Sequence, residues 1–359
     1  MALYSRWISD IENFILVTQM QGKMEIADLD ISTWPGPVRV PGLVSVIIPV
    51  RDRATLLPLT LDSIWMQSHR GLEIIVVDDG SEDGTPEAVE KWVAGHASDL
   101  QFSVRVLRCS HRGLSATRNT GTVEAGGEFI QYFDSDDLMR PEKLAKSLAV
   151  LRAKPDLDFV ACDHIQFRER NGKILYNQEH GAFSKLDHTA AGYLQCGGVL
   201  PNCPLFHRQS LTRVGPWKED LLISEDLEYF FRVLTLLRGE WLPEVLYDMR
   251  ATPYSLSSGE RRKKKEYWDG YLEACRDVEA AAHKLGVLQK PVRQALGYRL
   301  RRYAIYLAKK RQWDSYDMVG AAALARLGWR LRVPLLLHRG WFRFRGKYRP
   351  SLDCKKLNT

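Results

Sequence analysis

Three carboxylates within four residues follow an apolar run in the middle of the chain. Asp134, Asp136 and Asp137 come directly after residues 129–133, in the segment EFIQYFDSDDLMRP. Like charges this close raise one another's pKa, and a bound cation would relieve the repulsion. Oxygen ligands favour Mg²⁺ or Mn²⁺ over zinc or copper. The pattern predicts a divalent-cation site at the end of a buried strand, and the alternative is a solvated loop that caps the next helix.

Acidic residues also follow two other apolar runs. Asp78 and Asp79 end the run LEIIVVDDGS, and Asp52 follows the run LVSVIIPV. Ligand sites in open parallel sheets lie beyond the carboxyl ends of the strands, so we expect these side chains to line one site. For the DDGS segment the alternative is a tight turn in which Gly80 supplies a positive φ.

The elements that would position these carboxylates alternate along the chain. Apolar runs predict strands at 43–50, 72–81, 102–109 and 128–133, and three-to-four spacing predicts helices at 54–67, 85–97, 114–126 and 141–153. Such alternation predicts an α/β fold with a mostly parallel central sheet and helices on both faces. Proline and glycine in STWPGPVRVPG separate an N-terminal extension and linker, residues 1–42, from a domain at residues 43–255.

The basic residues are concentrated near the carboxyl end of the chain. Residues 260–359 contain 25 Lys and Arg against 9 Asp and Glu, a balance of +16, whereas the whole chain carries +7, so residues 1–259 carry −9. Helical spacing predicts a basic helical C-terminal region at residues 256–359. This region predicts a polyanionic partner, either anionic lipid or nucleic acid.

Other sequence patterns disfavour several classes of protein. We expect no signal peptide and no spanning helix, because no apolar run approaches the roughly 18 residues that a membrane span needs. The six cysteines contain no CxxC pair, which predicts reduced thiols and a cytoplasmic protein. Neither GxGxxG nor GxxxxGK[ST] occurs. A nucleotide diphosphate would then be chelated through a cation held by aspartates.

Five segments, taken in order, resemble the family-two glycosyltransferases with the GT-A fold. They are VSVIIPVRDRATLLPLTLDSIWMQ, EIIVVDDGSEDGT, GLSATRNTG, GEFIQYFDSDD and SEDLEYFFRVL. The resemblance implies a Rossmann-like sheet and an inverting enzyme that moves a sugar from a nucleotide diphosphate sugar, a UDP-sugar, to an acceptor hydroxyl. A place in cell-surface polysaccharide or glycolipid synthesis would suit such an enzyme if its basic C-terminal region lies on an anionic membrane. Processive members carry a QxxRW motif that is absent here, so we expect one transfer per binding event.

The resemblance also implies roles for individual residues. Asp226 matches the catalytic base, and Asp136, assisted by Asp137, matches the carboxylates that hold Mn²⁺ or Mg²⁺. The residues that match the nucleotide contacts are Pro49, Val50, Asp52, Asp79, Arg118, Asn119 and Asp134. The family often has Asn at the position of Asp52. For Asp226 the alternative is a plain helix start, with Ser224 as cap and acidic side chains facing the helix dipole.

The expected partners are a nucleotide-sugar donor and a saccharide or lipid-linked acceptor, whereas nucleic acid is disfavoured. The basic segments 261–265 and 323–349 predict contact with an anionic membrane, on its inner face. The alternative is a solvated helical region that packs its aromatic residues inward. A second class of function stays open, in which an inactive GT-A scaffold serves as a polyanion- or membrane-binding module. A nucleotidyltransferase is disfavoured by the missing glycine-rich loop.

Overall fold

The structure is a computed structural model that describes residues 33–96, 102–170, 173–177, 186–252, 262, 264–287 and 289–327, and the backbone of residues 24–26. Most of the basic segment at 323–349 lies outside these ranges. The chain divides into two compact units. The first contains Met1–Lys185, Val199–Leu222 and Leu236–Ala251, and the second contains Leu186–Gly198, Ile223–Thr235 and Thr252–Thr359. The second unit therefore takes two of its segments from within residues 43–255.

A mixed sheet forms the centre of the first unit. Its described strands are β1 (Met24–Ile26), β2 (Val40–Val50), β3 (Leu72–Asp78), β4 (Ser103–Cys109), β5 (Gly127–Tyr132), β6 (Leu138–Met139), β7 (Phe159–Arg170), β8 (Lys173–Asn177), β9 (Leu205–His207) and β10 (Gly239–Arg250). They lie in the order β1-β4-β3-β2-β5-β9-β7-β10-β6, with β8 paired to β7. From β1 to β5 in this order all pairs are parallel, as is β7 with β10. Strands β6, β8 and β9 pair antiparallel.

The described helices alternate with these strands in the first unit and make up most of the second. They are α1 (Leu57–Trp65), α2 (Thr85–His96), α3 (Leu114–Glu124), α4 (Lys143–Ala153), α5 (Ala190–Cys196), α6 (Leu211–Val214), α7 (Glu225–Leu236), α8 (Lys265–Lys284), α9 (Gln289–Lys309) and α10 (Trp313–Leu327). The predicted α/β fold with a mostly parallel sheet is confirmed. Within the described ranges, every helix is too short or too polar to cross a lipid bilayer.

Burial explains the sequence patterns of the first unit. Every residue of β3 is buried, and a strand covered on both faces needs a continuous apolar run. Helix α1 buries Leu57, Leu61 and Ile64, which share one face because they lie three or four residues apart. This helix begins later than the predicted segment 54–67, since Pro58 fits only within a first turn.

The second unit is helical in its described residues. Helix α9 buries Leu296, Leu300, Ala304 and Leu307, again at three-to-four spacing, which matches the periodicity of the sequence. Helix α8 buries a more aromatic face that includes Trp268 and Tyr271. The predicted C-terminal helices are therefore confirmed.

Candidate functional site

The carboxyl ends of three adjacent parallel strands create the edge at which the acidic segments meet. Strand β2 lies between β3 and β5, with Val50 opposite Asp78 and Ile47 opposite Tyr132. The Asp79 amide donates to the Val50 carbonyl at 2.9 Å. The segments that follow β2, β3 and β5 therefore begin side by side, as the sequence predicted.

The DSDD segment after β5 is shaped by Asn202. The Asp134 amide donates to Asn202 Oδ1 at 2.9 Å, and Asn202 Nδ2 donates to Asp137 Oδ2 at 2.5 Å. From α1, Thr60 Oγ1 donates to the Asp137 carbonyl at 2.9 Å. Asn202 is buried, so this one amide fixes both ends of the acidic turn. Sequence reasoning did not single it out.

Asp137 is an internal anchor of this turn. It is buried, and its second carboxylate oxygen accepts a hydrogen bond from the Arg250 amide at 2.7 Å. Burial, followed by the charges of Asp134 and Asp136, raises the pKa of Asp137 well above its usual value. Arg250 Nε also donates to the Asp136 carbonyl at 2.9 Å. The end of β10 therefore clamps the acidic turn through both the backbone and the side chain of Arg250.

Asp134 and Asp136 face arginines of the same unit. Arg118 Nη2 lies 3.3 Å from Asp134 Oδ1, and Arg53 Nε lies 3.7 Å from Asp136 Oδ2. The Arg118 guanidinium is buried and stacks 4.5 Å from the centre of the Trp217 ring. Burial and the charge of Asp134 raise the pKa of Asp136 even though Arg53 opposes this. The arginines therefore compensate the acidic turn only in part.

Asp79 is held by the turn that leads into α3. The Arg112 amide donates to Asp79 Oδ1 at 2.7 Å, and the Gly113 amide lies 3.1 Å from Oδ2. His111 Nδ1 lies 2.7 Å from the same Oδ2. No sequence motif singled out His111. Its side chain is 57% exposed, whereas the Asp79 carboxylate is only 8% exposed. Asp79 is thus fixed in place, and His111 supplies a polar group on its solvent side.

Asp52, next to Pro49 and Val50, occupies a bend after β2. Its backbone has φ 52°, an uncommon conformation that Asp tolerates better than most residues. The Asp52 amide donates to Ser81 Oγ at 2.9 Å, and Asp52 Oδ1 accepts from the Glu82 amide at 3.0 Å. These bonds fasten the end of β2 to the DDGS segment.

Asn119 uses its amide within the fold. Its Nδ2 donates to the Trp217 carbonyl at 2.9 Å and to Glu219 Oε1 at 2.9 Å, while its Oδ1 accepts from the Trp217 amide at 2.9 Å. Asn119 is fully buried. It therefore ties α3 to the segment that contains Trp217, which is also the ring beneath Arg118.

Asp226 belongs to the second unit, whereas the other predicted site residues belong to the first. It is the second residue of α7, whose preceding residue, Ser224, has φ 59°. Tyr193 on α5 donates its hydroxyl hydrogen to the Asp226 carbonyl at 3.0 Å. The start of α7 is therefore fixed by a phenol that the sequence motifs do not include.

Within the described residues, no three Asp, Glu, His or Cys side chains form a ready-made cation cage. Mg²⁺ is usually held by one or two carboxylates together with the phosphates of a substrate, so its sites need no such cage. The raised pKa of Asp136 indicates a carboxyl group whose charge is under-compensated. An oxygen donor set of this kind fits Mg²⁺ or Mn²⁺.

The chain is similar to several curated proteins. It is 33% identical over 132 residues to EpsH of Bacillus subtilis, a match that covers 37% of this chain and 36% of EpsH. It is 23% identical over 236 residues to the uncharacterized glycosyltransferase RT0329 of Rickettsia typhi, covering 64% and 72%. It is 30% identical over 137 residues to the glycosyltransferase GlyA of Streptococcus pneumoniae, covering 37% and 18%. The chain thus spans well under half the length of EpsH and GlyA.

Solved structures share the fold, and a family model identifies the domain. S. aureus TarS 1–349 in complex with UDP aligns with TM-score 0.57 and 20% identity, covering 83% of this chain and 87% of that one. The mannosyltransferase PcManGT of Pyrobaculum calidifontis, in complex with GDP-Man and Mn²⁺, aligns with TM-score 0.52 and 20% identity, covering 94% and 92%. The family model described as "Glycosyl transferase family 2" matches residues 45–215. Residues 45–215, just under half of the chain, therefore match glycosyltransferase family 2, and the fold of the chain is GT-A.

Proposed function

We propose that the protein transfers one sugar from a nucleotide diphosphate sugar to an acceptor hydroxyl, with inversion at the anomeric carbon. The observation that carries this proposal is the shared edge after β2, β3 and β5, where Asp52, Asp79 and the DSDD turn begin side by side. TarS has been solved with UDP and with UDP-GlcNAc, and PcManGT with GDP-Man. These ligands support a nucleotide-sugar donor, and we propose a UDP-sugar.

The nucleoside would lie against the ends of β2 and β3. Pro49 and Val50 form the buried end of β2 at this edge. Asp52 and Asp79 offer carboxylates that are already fixed by amide hydrogen bonds. Acceptors that are already fixed can bind the N–H groups of a base or the hydroxyl groups of a ribose without a further loss of side-chain entropy. His111, beside Asp79, would add a polar contact that the motifs do not specify.

The diphosphate would be bound at the DSDD turn. Asp136, with Asp134, would hold Mn²⁺ or Mg²⁺, which when bound would offset charge on the departing diphosphate. Arg118 and Arg53 lie beside these two carboxylates and orient them. Asp137 is assigned a different task, since Asn202 and Arg250 already engage both of its oxygens.

Asp226 would act as the catalytic base. In the proposed step it accepts the proton of the acceptor hydroxyl while that oxygen forms its bond to the anomeric carbon. The bond from this carbon to the diphosphate oxygen breaks in the same displacement, through an oxocarbenium-like transition state. Attack from the face opposite the leaving group inverts the configuration.

A donor screen with purified protein tests this function. Release of nucleoside diphosphate from UDP-sugars and from GDP-mannose is measured with Mg²⁺ or Mn²⁺ and a saccharide acceptor, in the wild type, Asp226→Asn and Asp136→Asn. Asp156→Asn is the matched control, because the ion pair that Asp156 forms with Arg238 is exposed. We expect turnover in the wild type and the control and strong loss in the two site variants. Full turnover in Asp226→Asn would refute the assigned base.

We also propose a cytoplasmic protein that binds the inner membrane surface peripherally and takes a saccharide or lipid-linked acceptor there. Lys290, Lys310 and Arg311 are exposed on or next to α9, and exposed cations attract anionic lipid head groups. Flotation of the full chain with vesicles tests this. Co-flotation is expected with vesicles that contain anionic lipid, and equal flotation with zwitterionic vesicles would refute a charge-driven contact.

A further inference from the structure

A half-buried arginine on α9, Arg299, joins three helices of the second unit. Arg299 Nε donates to the Tyr271 hydroxyl on α8 at 2.5 Å. Its Nη1 donates to the carbonyls of Tyr193 and Leu194 on α5, at 3.1 and 3.3 Å. These carbonyls lie in the last turn of α5, where the helix dipole places partial negative charge. Arg299 therefore caps α5 and fastens it to α8 and α9.

Arg299 is linked to Asp226 through one intervening residue, Tyr193. Tyr193, whose carbonyl accepts from Arg299, donates its hydroxyl hydrogen to the Asp226 carbonyl at 3.0 Å. The Arg299 guanidinium lies 6.0 Å from the centre of the Tyr193 ring. Since Tyr193 is buried, these contacts are shielded from water, and electrostatic interactions among them are stronger than at a surface.

Arg299 lies within a cluster of phenol and carboxyl groups. Burial alone would lower the pKa of Arg299, but Tyr271, Tyr303, Tyr193 and the Asp226 carboxylate raise it well above its usual value. Burial of Tyr303 opposes its ionisation, but the charges of Arg299 and Arg262 outweigh this and lower its pKa. The titratable and charged groups of the cluster are Tyr193, Glu225, Asp226, Arg262, Tyr267, Tyr271, Arg299 and Tyr303.

We propose that Arg299 is a positioning residue for Asp226, which it holds in place through Tyr193 and keeps in the ionised, proton-accepting form. The proposal rests on the proposed role of Asp226 as base. Arg299 lies outside the family match at residues 45–215. The C-terminal helices would therefore take part in catalysis, in addition to any contact with a membrane.

Profiles of kcat/KM against pH test the proposal in the active enzyme. The acidic limb of this profile is the low-pH range in which kcat/KM rises as the base loses its proton. In Arg299→Gln this limb should move to higher pH by about one unit or more, because loss of a neighbouring opposite charge raises a carboxyl pKa by that amount. In Arg299→Lys the charge remains, so the limb should stay while kcat falls. Tyr193→Phe removes only the hydroxyl contact and should lower kcat without moving the limb.

Arg326→Gln is the matched control within the second unit. Arg326 is also half-buried, and its Nη2 lies 2.8 Å from Glu279 Oε2. Its loss should lower Tm as much as the loss of Arg299, yet leave the pH profile unchanged. If the pH profiles of Arg299→Gln and the wild type superimpose, Arg299 only caps α5 and does not act on Asp226. If Arg299→Gln does not fold, Arg299→Lys and Tyr193→Phe test the proposal in its place. A shift of the acidic limb in Arg299→Lys would overturn it.

A second readout does not depend on turnover. The carboxyl carbon of Asp226 is titrated by NMR in protein labelled at aspartate, with the Asp226→Asn variant used for assignment. Arg299→Gln should raise the titration midpoint, and an unchanged midpoint overturns the proposal. Turnover in Asp226→Asn tests the proposed function independently of the titration midpoint. Full turnover in that variant would refute the role of Asp226 as base but would leave the effect of Arg299 on its titration untouched.

Discussion

The two units differ in how far their own positive charges compensate their carboxylates. In the first unit, burial and mutual repulsion raise the pKa of Asp136 and of Asp137, and the nearby arginines leave this charge only partly compensated. In the second unit, Asp226 belongs to a cluster that contains Arg299, a half-buried cation. Under the proposed function, a bound cation would complete the charge balance of the first unit, whereas Arg299 supplies a positive charge within the second unit.

The same contrast occurs on a smaller scale within the DSDD turn. Asp137 accepts hydrogen bonds from Asn202 and the Arg250 amide, so it is satisfied by neutral donors inside the fold. Asp136 instead faces an arginine at 3.7 Å, which is too long for a hydrogen bond. Adjacent carboxylates can therefore serve different purposes, and substitution of each in turn should separate binding from stability.

The largest expected effect is on activity in Asp136→Asn. Loss of this carboxylate should lower kcat/KM about 10²- to 10³-fold, the range found when one electrostatic contact to a transition state is removed. The concentration of Mn²⁺ needed for half-maximal activity should rise as well, while Tm stays near that of the wild type. Activity is measured by nucleoside diphosphate release across a Mn²⁺ titration. An unchanged Mn²⁺ requirement would contradict the assignment of Asp136.

The next effect is on stability in Asn202→Ala. This change leaves the Asp134 amide without its acceptor and removes a donor from Asp137, so unfolding should become easier by about 2–4 kcal/mol. Urea unfolding measures it, with Gln209→Ala as the control because Gln209 is exposed. Equal stability of the two variants would mean that Asn202 does not fix the turn.

A smaller loss of stability is expected in Asp137→Asn. An asparagine at this position can accept from only one of the two donors and must turn its own NH₂ toward the other, a cost of about 1–3 kcal/mol. The Mn²⁺ requirement should be that of the wild type. If it rises as in Asp136→Asn, then Asp137 also contacts the metal, and the contrast within the turn is removed.

The sequence predicted the parts of this fold that depend on local periodicity. Continuous apolar runs identified β2, β3 and β5 because these strands are buried on both faces, and their acidic ends followed from the topology of parallel sheets. The motifs also identified Asp79 and Asp134 as neighbours of this edge.

The partners of these residues could not be predicted in the same way. Asn202 lies 68 residues from Asp134, and Arg250 lies 113 residues from Asp137. Arg299 lies 106 residues from Tyr193. Contacts at such separations leave no periodic signal, and composition cannot distinguish a half-buried arginine in a basic helix from its exposed neighbours. Asn119 shows the converse, since its motif suggested a ligand contact while its amide is engaged by Trp217 and Glu219.

The smallest expected effect tests whether charge or hydrogen bonding dominates in the second unit. Tyr271→Phe removes the acceptor of Arg299 Nε but leaves the guanidinium charge and its bonds to α5 in place. Stability should fall by about 1–2 kcal/mol, because a charged donor loses its hydrogen-bond partner. The acidic limb of the pH profile should not move, since the cation remains within the cluster of Asp226. Thermal unfolding and the pH profile are measured on the same preparation. If the acidic limb moves as far as in Arg299→Gln, then the hydrogen bonds of Arg299, and not its charge, set the protonation state of Asp226. The contrast between the two units would then lose its electrostatic basis.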